Sequence, residues 1–569
     1  MGEGDTVAYD TQFRGVLMMD GSILRLDDVW VKQFQVQSGE ISLGFKLKEI
    51  DSLEEFEGYQ RLMKLHYRGS MIAGRRVPLV AVSDLPELPR ITAFVELATT
   101  FLVNTARRRV LNAPFEDDEN NVAWVRWDQK TAKKWVNSIA RISRCVVYPE
   151  LRGLGIASQI CHLSADFARN HWQIKGVNPS FLEITADMLR YWPFVKDSGF
   201  VFVGETEGNA HRAAKDMDYL VKRSAAVEGN GIEGMPKGGG GILSHQRSNA
   251  VRVNDIVRSG GMSSNSITEV LRTDPSKLTD EQWLLLHKVY RRPKPTYMMG
   301  LTESAQKFIT KRVSIVLPPI RHHDKGIRDT SPLHKLASIR DLKITARSKI
   351  SPSNRSRDVQ EAFGIVVAEE VVEVIRSLDI DVYQGDIVLI SGPSGSGKSL
   401  LMGAIRRLTS SGPTRYRMPK GVFVKGKNSS TDIEIVTAKL PPSNATPIDS
   451  FGHLSIEQTL QTLGSSGLGD PRLYLRPVST LSDGQKHRLG MACAFSLGGE
   501  IVMFDGFCES IDILTAAALC RKIMERVKVE KTPVIMATIA PERIRRLLEP
   551  TLEICLSSDG YATVTRRSP

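Results

Sequence analysis

Apolar and polar residues along this chain repeat with two different periods, and the alternation between them predicts an α/β protein. Residues 92–97, 142–147, 181–186 and 200–205 are short runs rich in β-branched and aromatic side chains. Runs of that kind, closed by turn residues such as Pro149, read as strands. Between them the apolar positions recur at helical spacing. Residues 54–67 read as an amphipathic helix, and Ile156, Ile160, Leu163 and Phe167 share one face of another. The C-terminal half repeats the scheme. Residues 387–390 form an all-apolar run of strand length, a helix opens at Leu400, residues 487–498 suit a further helix, and 501–504 is another buried strand.

The two halves are separated by residues 228–241, EGNGIEGMPKGGGG, whose glycine content cannot support a packed core. Polar sequence follows to about residue 276. A helix signal comes next: Thr279 with Gln282 suits a capping box, and Trp283, Leu286 and Val289 recur at helical spacing. Residues 318–332 read as a second irregular stretch. The predicted organisation is an N-terminal extension of short strands and turns (1–44), a first α/β domain (45–223), a linker with a helical segment (224–335) and a second α/β domain (336–569).

At 569 residues the chain is too long for one core. Its 76 Lys and Arg against 64 Asp and Glu leave a charge of +12, which favours polyanionic partners such as nucleic acid. Cys145, Cys161, Cys493, Cys508, Cys520 and Cys555 show no CxxC pair and no metal spacing, which points to a reducing cytoplasm. No apolar stretch reaches the roughly 18 residues a spanning helix needs, and the first residues lack the basic and apolar pattern of a signal peptide. No membrane partner is therefore expected.

Two segments carry chemistry. In the first, the strand 142–147 leads through Arg152-Gly153-Leu154-Gly155-Ile156-Ala157 into a helix. Glycines let the backbone approach a ligand, successive N–H groups point outward, and the helix dipole favours negative charge, so such a turn suits an anion. With the strand before it and the segments FLEITA and YWPFVKDSGF after it, this string resembles the pyrophosphate-binding segment of the GNAT N-acetyltransferases, over roughly residues 45–223. The resemblance implies a mixed β-sheet with flanking helices and acetyl-CoA held by residues 152–157. It also implies a backbone N–H at Val146 or Val147 polarising the thioester carbonyl, and Tyr191 protonating the leaving thiolate. Glu96 or Glu183, each on a predicted strand, is the candidate base for the attacking amine.

The second segment is Gly392-Pro393-Ser394-Gly395-Ser396-Gly397-Lys398-Ser399, a full Walker A loop between a buried strand and a helix. Its amides cradle phosphates, Lys398 reaches the outer ones and Ser399 meets Mg²⁺. Leu481-Ser482-Asp483-Gly484-Gln485 resembles the ABC signature with Asp483 in place of a glycine, and Asp505, closing the strand 501–504, suits the Walker B aspartate that holds Mg²⁺. Asp512 matches the aspartate of the next loop. Together these resemble ABC ATPases over residues 336–569. Ser482, Gly484 and Gln485 would then meet ATP bound to a second copy, which implies a head-to-tail homodimer.

The departures are specific. Gly506 stands where the family has a water-polarising glutamate, no histidine lies near Thr538 or Ile539, and no glutamine loop is found between Phe423 and Pro447. Glu509 is the available substitute carboxylate. Slow hydrolysis, and a clamp instead of a motor, are the expectation.

The order GNAT then ABC resembles the ABC-type ATPases fused to a Mom-like acetyltransferase of phages, bacteria and archaea, on the segments RYWPFVKDSGF and NTARRRVLNAPF. That resemblance implies acetylation of a base-linked amine, as a step of phage DNA hypermodification in the host cytoplasm, with DNA favoured over RNA. The alternatives are an ATP-dependent nucleic-acid clamp with a vestigial acetyltransferase, or an RNA or tRNA acetyltransferase. The basic clusters Arg107-Arg108-Arg109, Lys133-Lys134, Arg291-Arg292-Lys294 and Arg543-Arg545-Arg546 are candidate phosphate contacts. His322-His323-Asp324 is a weak metal candidate in polar sequence.

Overall fold

The structure is a computed structural model. It describes residues 29–66, 74–86, 88–207, 293–317, 334–349, 353–365, 369–410, 416–428, 433–509 and 511–567, with three short strands at Ala8–Asp10, Gly15–Leu17 and Ile23–Arg25. The glycine-rich segment, the helix expected after Thr279, His322-His323-Asp324 and the Arg291-Arg292 pair lie outside the described residues.

The chain divides into two compact units: residues 1–98, 143–167 and 320–569 form the first, and residues 99–142 and 168–319 the second. In the first unit, Val31–Ser38 and Ile41–Glu49 make an antiparallel hairpin from Val31↔Lys48 to Ser38↔Ile41. Alternate side chains Phe34, Val36, Leu43, Phe45 and Leu47 are buried, the period-2 pattern of a one-sided sheet. The boundary expected at residue 44 therefore falls inside the strand Ile41–Glu49, in which Ser42, Gly44 and Lys46 alternate with the buried residues on the solvent face. Arg76–Val82 and Ile91–Thr99 continue the sheet antiparallel, and Ile91–Thr99 borders Ile139–Val147, whose residues 143–147 belong to this unit. The helix Leu53–Met63 starts at Ser52, whose hydroxyl accepts from the Glu55 amide. It buries Tyr59 and Leu62 against Val80, Ile91, Phe94 and Val146.

The remainder of the first unit is built on a parallel sheet in the order Ile435–Thr437, Ile501–Phe504, Val534–Thr538, Ile387–Ser391, Leu552–Leu556, closed by the antiparallel Ala562–Arg566. A second, antiparallel sheet centres on Lys335–Lys349, which pairs with Glu369–Ile375, Ile380–Tyr383 and Val422–Asn428. One apolar core joins both sheets through residues such as Ile339, Ile380, Val388, Leu401 and Ile535. A separate helical cluster packs Phe451, Leu463, Tyr474, Leu481 and Leu489.

In the second unit, Ile139–Ile142 pairs in parallel with Phe181–Ile184, and Phe181–Thr185 pairs antiparallel with Pro295–Gly300, which pairs with Val201–Glu205. This corrects the reading of residues 224–335 as linker and helical segment alone. Pro295–Gly300 is a buried strand of this sheet, and the helix Glu303–Val316 packs Ala305 and Ile309 into the same core as Phe115, Trp124 and Phe181. The six residues PTYMMG were too short, and too rich in unbranched Met, to stand out as a strand.

Candidate nucleotide site and candidate acyl-carrier turn

The strand Ile387–Ser391 is buried throughout and ends in Gly392. Gly392 has φ 147° and Gly397 φ 93°. A β-carbon at Gly392 would stand 2.4 Å from the Leu556 carbonyl oxygen, and one at Gly397 2.2 Å from a Val374 methyl, so both positions admit only glycine. Gly397 caps the helix Lys398–Thr409, bringing the loop amides to a helix N-terminus. The Lys398 ammonium donates to the carbonyls of Gly392 and Pro393, both at 2.8 Å, which arches it over its own loop. Ser396 Oγ is buried with no hydrogen-bond partner among the described residues. A buried hydroxyl without a partner, in a loop that also carries a lysine and leads into a helix N-terminus, fits a polyphosphate with Mg²⁺. Pro393, Ser394 and Gly395 complete the loop, and Ser399 occupies the first turn of its helix.

Asp505 lies exposed at the C-terminal end of Ile501–Phe504, at the same edge of the parallel sheet as the loop and one strand removed from it. This is where ligands bind in open α/β sheets. Gly506 follows with φ 67°. The Glu509 carboxylate accepts from the Ile539 amide at 3.0 Å and stands 3.6 Å from where a Gly506 side chain would begin, so it is fixed beside the missing carboxylate's position. Thr538 is buried at the end of its strand and Ile539, just after it, is exposed and apolar, so the structure holds no histidine at either position. At the same edge, the chain leaving Ile435–Thr437 reads Ala438-Lys439-Leu440, with no glutamine.

Ser482 caps the helix Asp483–Ser496, hereafter the signature helix. Its hydroxyl accepts from the Gln485 amide, and the Gln485 side chain accepts from the Ser482 amide, a reciprocal capping box. Gly484 sits 3.0 Å, measured from a β-carbon built on it, from a Thr515 methyl. Asp512 caps the next helix, Ile513–Glu530, by accepting from the Leu514 and Thr515 amides. Burial pushes the His487 imidazole below its usual range, with Asp483 and Glu509 opposing.

The other turn follows Ile139–Val147 and a single helical turn, Pro149–Leu151. Gly153 (φ 101°) and Gly155 (φ 87°) reverse the chain, and Ile156 opens the helix Ile156–His171. Leu154 and Ile156 are buried and anchor the turn, while Gly153, Gly155 and Ala157 stay partly accessible. The Arg152 guanidinium turns inward: Nε donates to the Val147 carbonyl at 3.0 Å and a terminal nitrogen lies 3.9 Å from Asp470. Burial lowers its pKa and Asp470 raises it.

Glu96, in the first unit, is buried and accepts from the hydroxyls of Tyr59 (2.8 Å) and Ser143 (2.7 Å), with Arg144 at 3.8 Å. Burial, then the adjacent Glu96 charge, push the Tyr59 phenol well above its usual range. Glu183, in the second unit, is equally buried and bonded to Arg107 at 2.7 Å and to the Thr100 hydroxyl. Arg107 also donates to the carbonyls of Phe101 and Leu102, while its Nε and the second oxygen of Glu183 have no hydrogen-bond partner among the described residues. This corrects one expectation: Arg107 is unavailable to phosphate, and only Arg108 and Arg109 of that cluster are exposed. In the same way, Arg543 donates to the Ile511 carbonyl and Arg545 pairs with Glu542 and Glu553, leaving Arg546 as the exposed member of the fourth cluster. Tyr191, in the second unit, ends the short helix Met188–Tyr191 and is half-buried. Sequence reading missed Arg488, Arg521 and Lys522, which surround the turn; the visible signal was Arg488, a charge on the apolar face of its helix.

Comparison with known proteins covers the second α/β region. Residues 375–508 match the family model described as ABC transporter. The chain is 27% identical over 191 residues to Protein STAR1 of Oryza sativa subsp. japonica, covering 31% of this chain and 54% of that protein. It is 28% identical over 215 residues to the macrolide export ATP-binding/permease protein MacB of Azoarcus sp., covering 33% and 30%. To the ABC transporter ATP-binding protein YknY of Bacillus subtilis it is 27% identical over 215 residues, covering 34% and 89%. The match spans a third to about half the length of several curated relatives. Among solved structures, a dimeric ATP-binding cassette bound to ADP and phosphate aligns with 41% of this chain and all of that one, at 20% identity and a TM-score of 0.30. No helix among the described residues is long and apolar enough to cross a membrane. This is a mixed α/β chain in which residues 375–508 form an ABC-type, ATP-binding P-loop domain.

Proposed function

We propose that the chain is an acetyl-CoA-dependent N-acetyltransferase acting on a base-linked amine in nucleic acid, DNA before RNA, with its ABC-type domain serving as an ATP-gated clamp in a head-to-tail homodimer. The observation that carries the transferase reading is the turn at residues 152–157, where two glycines of positive φ feed directly into a helix after a strand. Such a turn presents its amides to a pyrophosphate. Acetyl-CoA, when bound, would supply the activated thioester. In the reaction the amine nitrogen bonds to the carbonyl carbon, the carbon–sulfur bond breaks and the thiol departs with a proton.

The chain's residues bind, orient and move protons. An amide at Val146 or Val147 is the carbonyl's hydrogen-bond donor, and Tyr191, half-buried, is the proton donor. Of the two carboxylates, Glu96 is the better base. Its partners Tyr59 and Ser143 are hydroxyls that can pass a proton on, whereas Glu183 is held by the buried Arg107. Exposed Arg108, Arg109, Lys133 and Lys134, and the exposed ring of Phe101 stacked on Arg141 at 4.2 Å, suit phosphates and an unstacked base. An amine reached there sits outside the base-pair stack, or on a modified base whose arm projects into the major groove. The +12 charge agrees with this partner, and a cytoplasmic setting, that of a host if the gene is a phage's, agrees with the thiols.

Gly506 and Ile539 remove the water-orienting and γ-phosphate-sensing groups together, which suits a clamp that hydrolyses slowly. A second reading, an ATP-dependent nucleic-acid clamp without transfer, draws on the deep burial of both carboxylates. Labelled acetyl-CoA incubated with the protein and modified phage DNA, plain DNA or tRNA separates the readings. Label on DNA is the expected result, and label on tRNA alone moves the acceptor to RNA. No label with tight ATP-dependent DNA binding overturns the transferase.

A further inference from the structure

The turn at residues 149–157 is gripped by the ATP-binding domain's own helices, all within the first unit. Arg488, on the signature helix, is 4% exposed and donates to the carbonyls of Pro149 and Glu150, each at 2.9 Å, and to Gly467 at 3.1 Å. Arg521, on the following helix, donates to the carbonyls of Leu154 and Gln37. Its guanidinium stands 3.1 Å from where a Gly155 side chain would begin, and the Lys522 stem stands 3.4 Å from the same point at Gly153. Further contacts brace the same junction: Ser38 Oγ donates to the Ala517 carbonyl at 2.8 Å, and Arg472 donates to the carbonyls of Lys64 and Leu65.

Three guanidinium groups bonded to main-chain carbonyls of another segment make a fixed linkage. Arg488 is buried, so a separation that removed these acceptors would strand its charge, and helix and turn therefore move together. Ser482 caps the same helix that carries Arg488 six residues on, about 9 Å along a continuous helix. Any ligand that draws on the signature end of that helix therefore acts on the carbonyls of Pro149 and Glu150.

We infer that Arg488 is a positioning residue that couples nucleotide at the signature motif to the turn at residues 152–157, so that ATP binding orders that turn and raises its affinity for a coenzyme A pyrophosphate. The affinity part rests on the acetyltransferase reading; the mechanical part does not. Reciprocity requires coenzyme A to tighten ATP binding by the same factor.

Hydrogen exchange of the full chain, with and without a non-hydrolysable ATP analogue and Mg²⁺, tests the linkage, and coenzyme A titration of the same samples tests its consequence. With analogue, exchange at amides 150–159 is expected to slow, and coenzyme A affinity to rise about fivefold, the low end of typical coupling. Both effects should vanish in Arg488→Ala and shrink in Arg488→Lys, which keeps the charge and loses the two-carbonyl fork. If Arg488→Ala fails to fold, Arg488→Lys and the partly exposed Arg521→Ala carry the test. Exchange unaffected by analogue in the wild type, or a response that survives in Arg488→Lys and Arg521→Ala undiminished, overturns the coupling. Exchange that responds while coenzyme A does not bind leaves the linkage standing and removes the acetyltransferase reading. Coenzyme A bound equally with and without analogue overturns the affinity coupling and leaves the acetyltransferase reading standing.

Discussion

At the scale of single residues, the ATP loop was legible because its chemistry is local. Eight consecutive residues fix the glycine conformations, the lysine and the hydroxyl, and no distant contact is needed to see them. Lys398→Ala removes a charge-assisted contact worth about 1.5–3 kcal/mol, so ATP affinity measured by fluorescent-nucleotide titration is expected to fall about 10- to 100-fold. The carboxylates were less legible. Glu96 and Glu183 look alike in sequence, and only the fold shows one between two hydroxyls and the other locked to Arg107. Arg107→Ala leaves Glu183 as an uncompensated buried charge, and denaturant unfolding should report a loss of about 3–5 kcal/mol. Gly506 illustrates a substitution that does not reverse. With φ at 67° and the Glu509 carboxylate beside it, Gly506→Glu is expected to cost roughly 1–2 kcal/mol of stability and to leave the steady-state ATPase rate unchanged. A rate gain of tenfold would show that the backbone there relaxes freely.

At the scale of elements, the strands and helices with strong periodicity were where the pattern put them, within a few residues: Ile91–Thr99, Ile139–Val147, Phe181–Thr185, Ile387–Ser391 and the helix Ile156–His171. Pro295–Gly300 was not seen, since its burial comes from two flanking strands more than 90 residues earlier and not from its own pattern. The antiparallel sheet on Lys335–Lys349 was also hidden, because its charged outer positions mask the buried Ile339, Leu342 and Ile344. One pairing in that sheet carries a pH signature. Burial raises the Asp381 pKa, but Arg340, Ser338 and Lys335 outweigh it and bring the carboxyl from 3.8 down to about 2. A depressed folded-state value stabilises the sheet above pH 3.8, and that contribution is lost as the pH falls towards 2. Unfolding followed between pH 4.5 and pH 2 should therefore show a steeper loss for the wild type than for Asp381→Asn; equal slopes would assign the acid sensitivity to other groups.

At the scale of the whole molecule, the P-loop of the ABC-type domain and the proposed coenzyme A turn lie in one chain, and each was visible in the sequence without their junction. The reason is physical. The arginines that join them, Arg488 and Arg521, act on main-chain carbonyls, which carry no side-chain signature in the partner segment. The ABC-type domain stands on its loop, its sheet order and its family match, whereas the proposed transferase rests on the turn alone. The most direct measurement is calorimetric titration of the full chain, saturated with ATP and Mg²⁺, with coenzyme A. One binding event per chain, weakened in Gly155→Val, is the predicted result; a flat trace from folded, ATP-loaded protein would contradict the account.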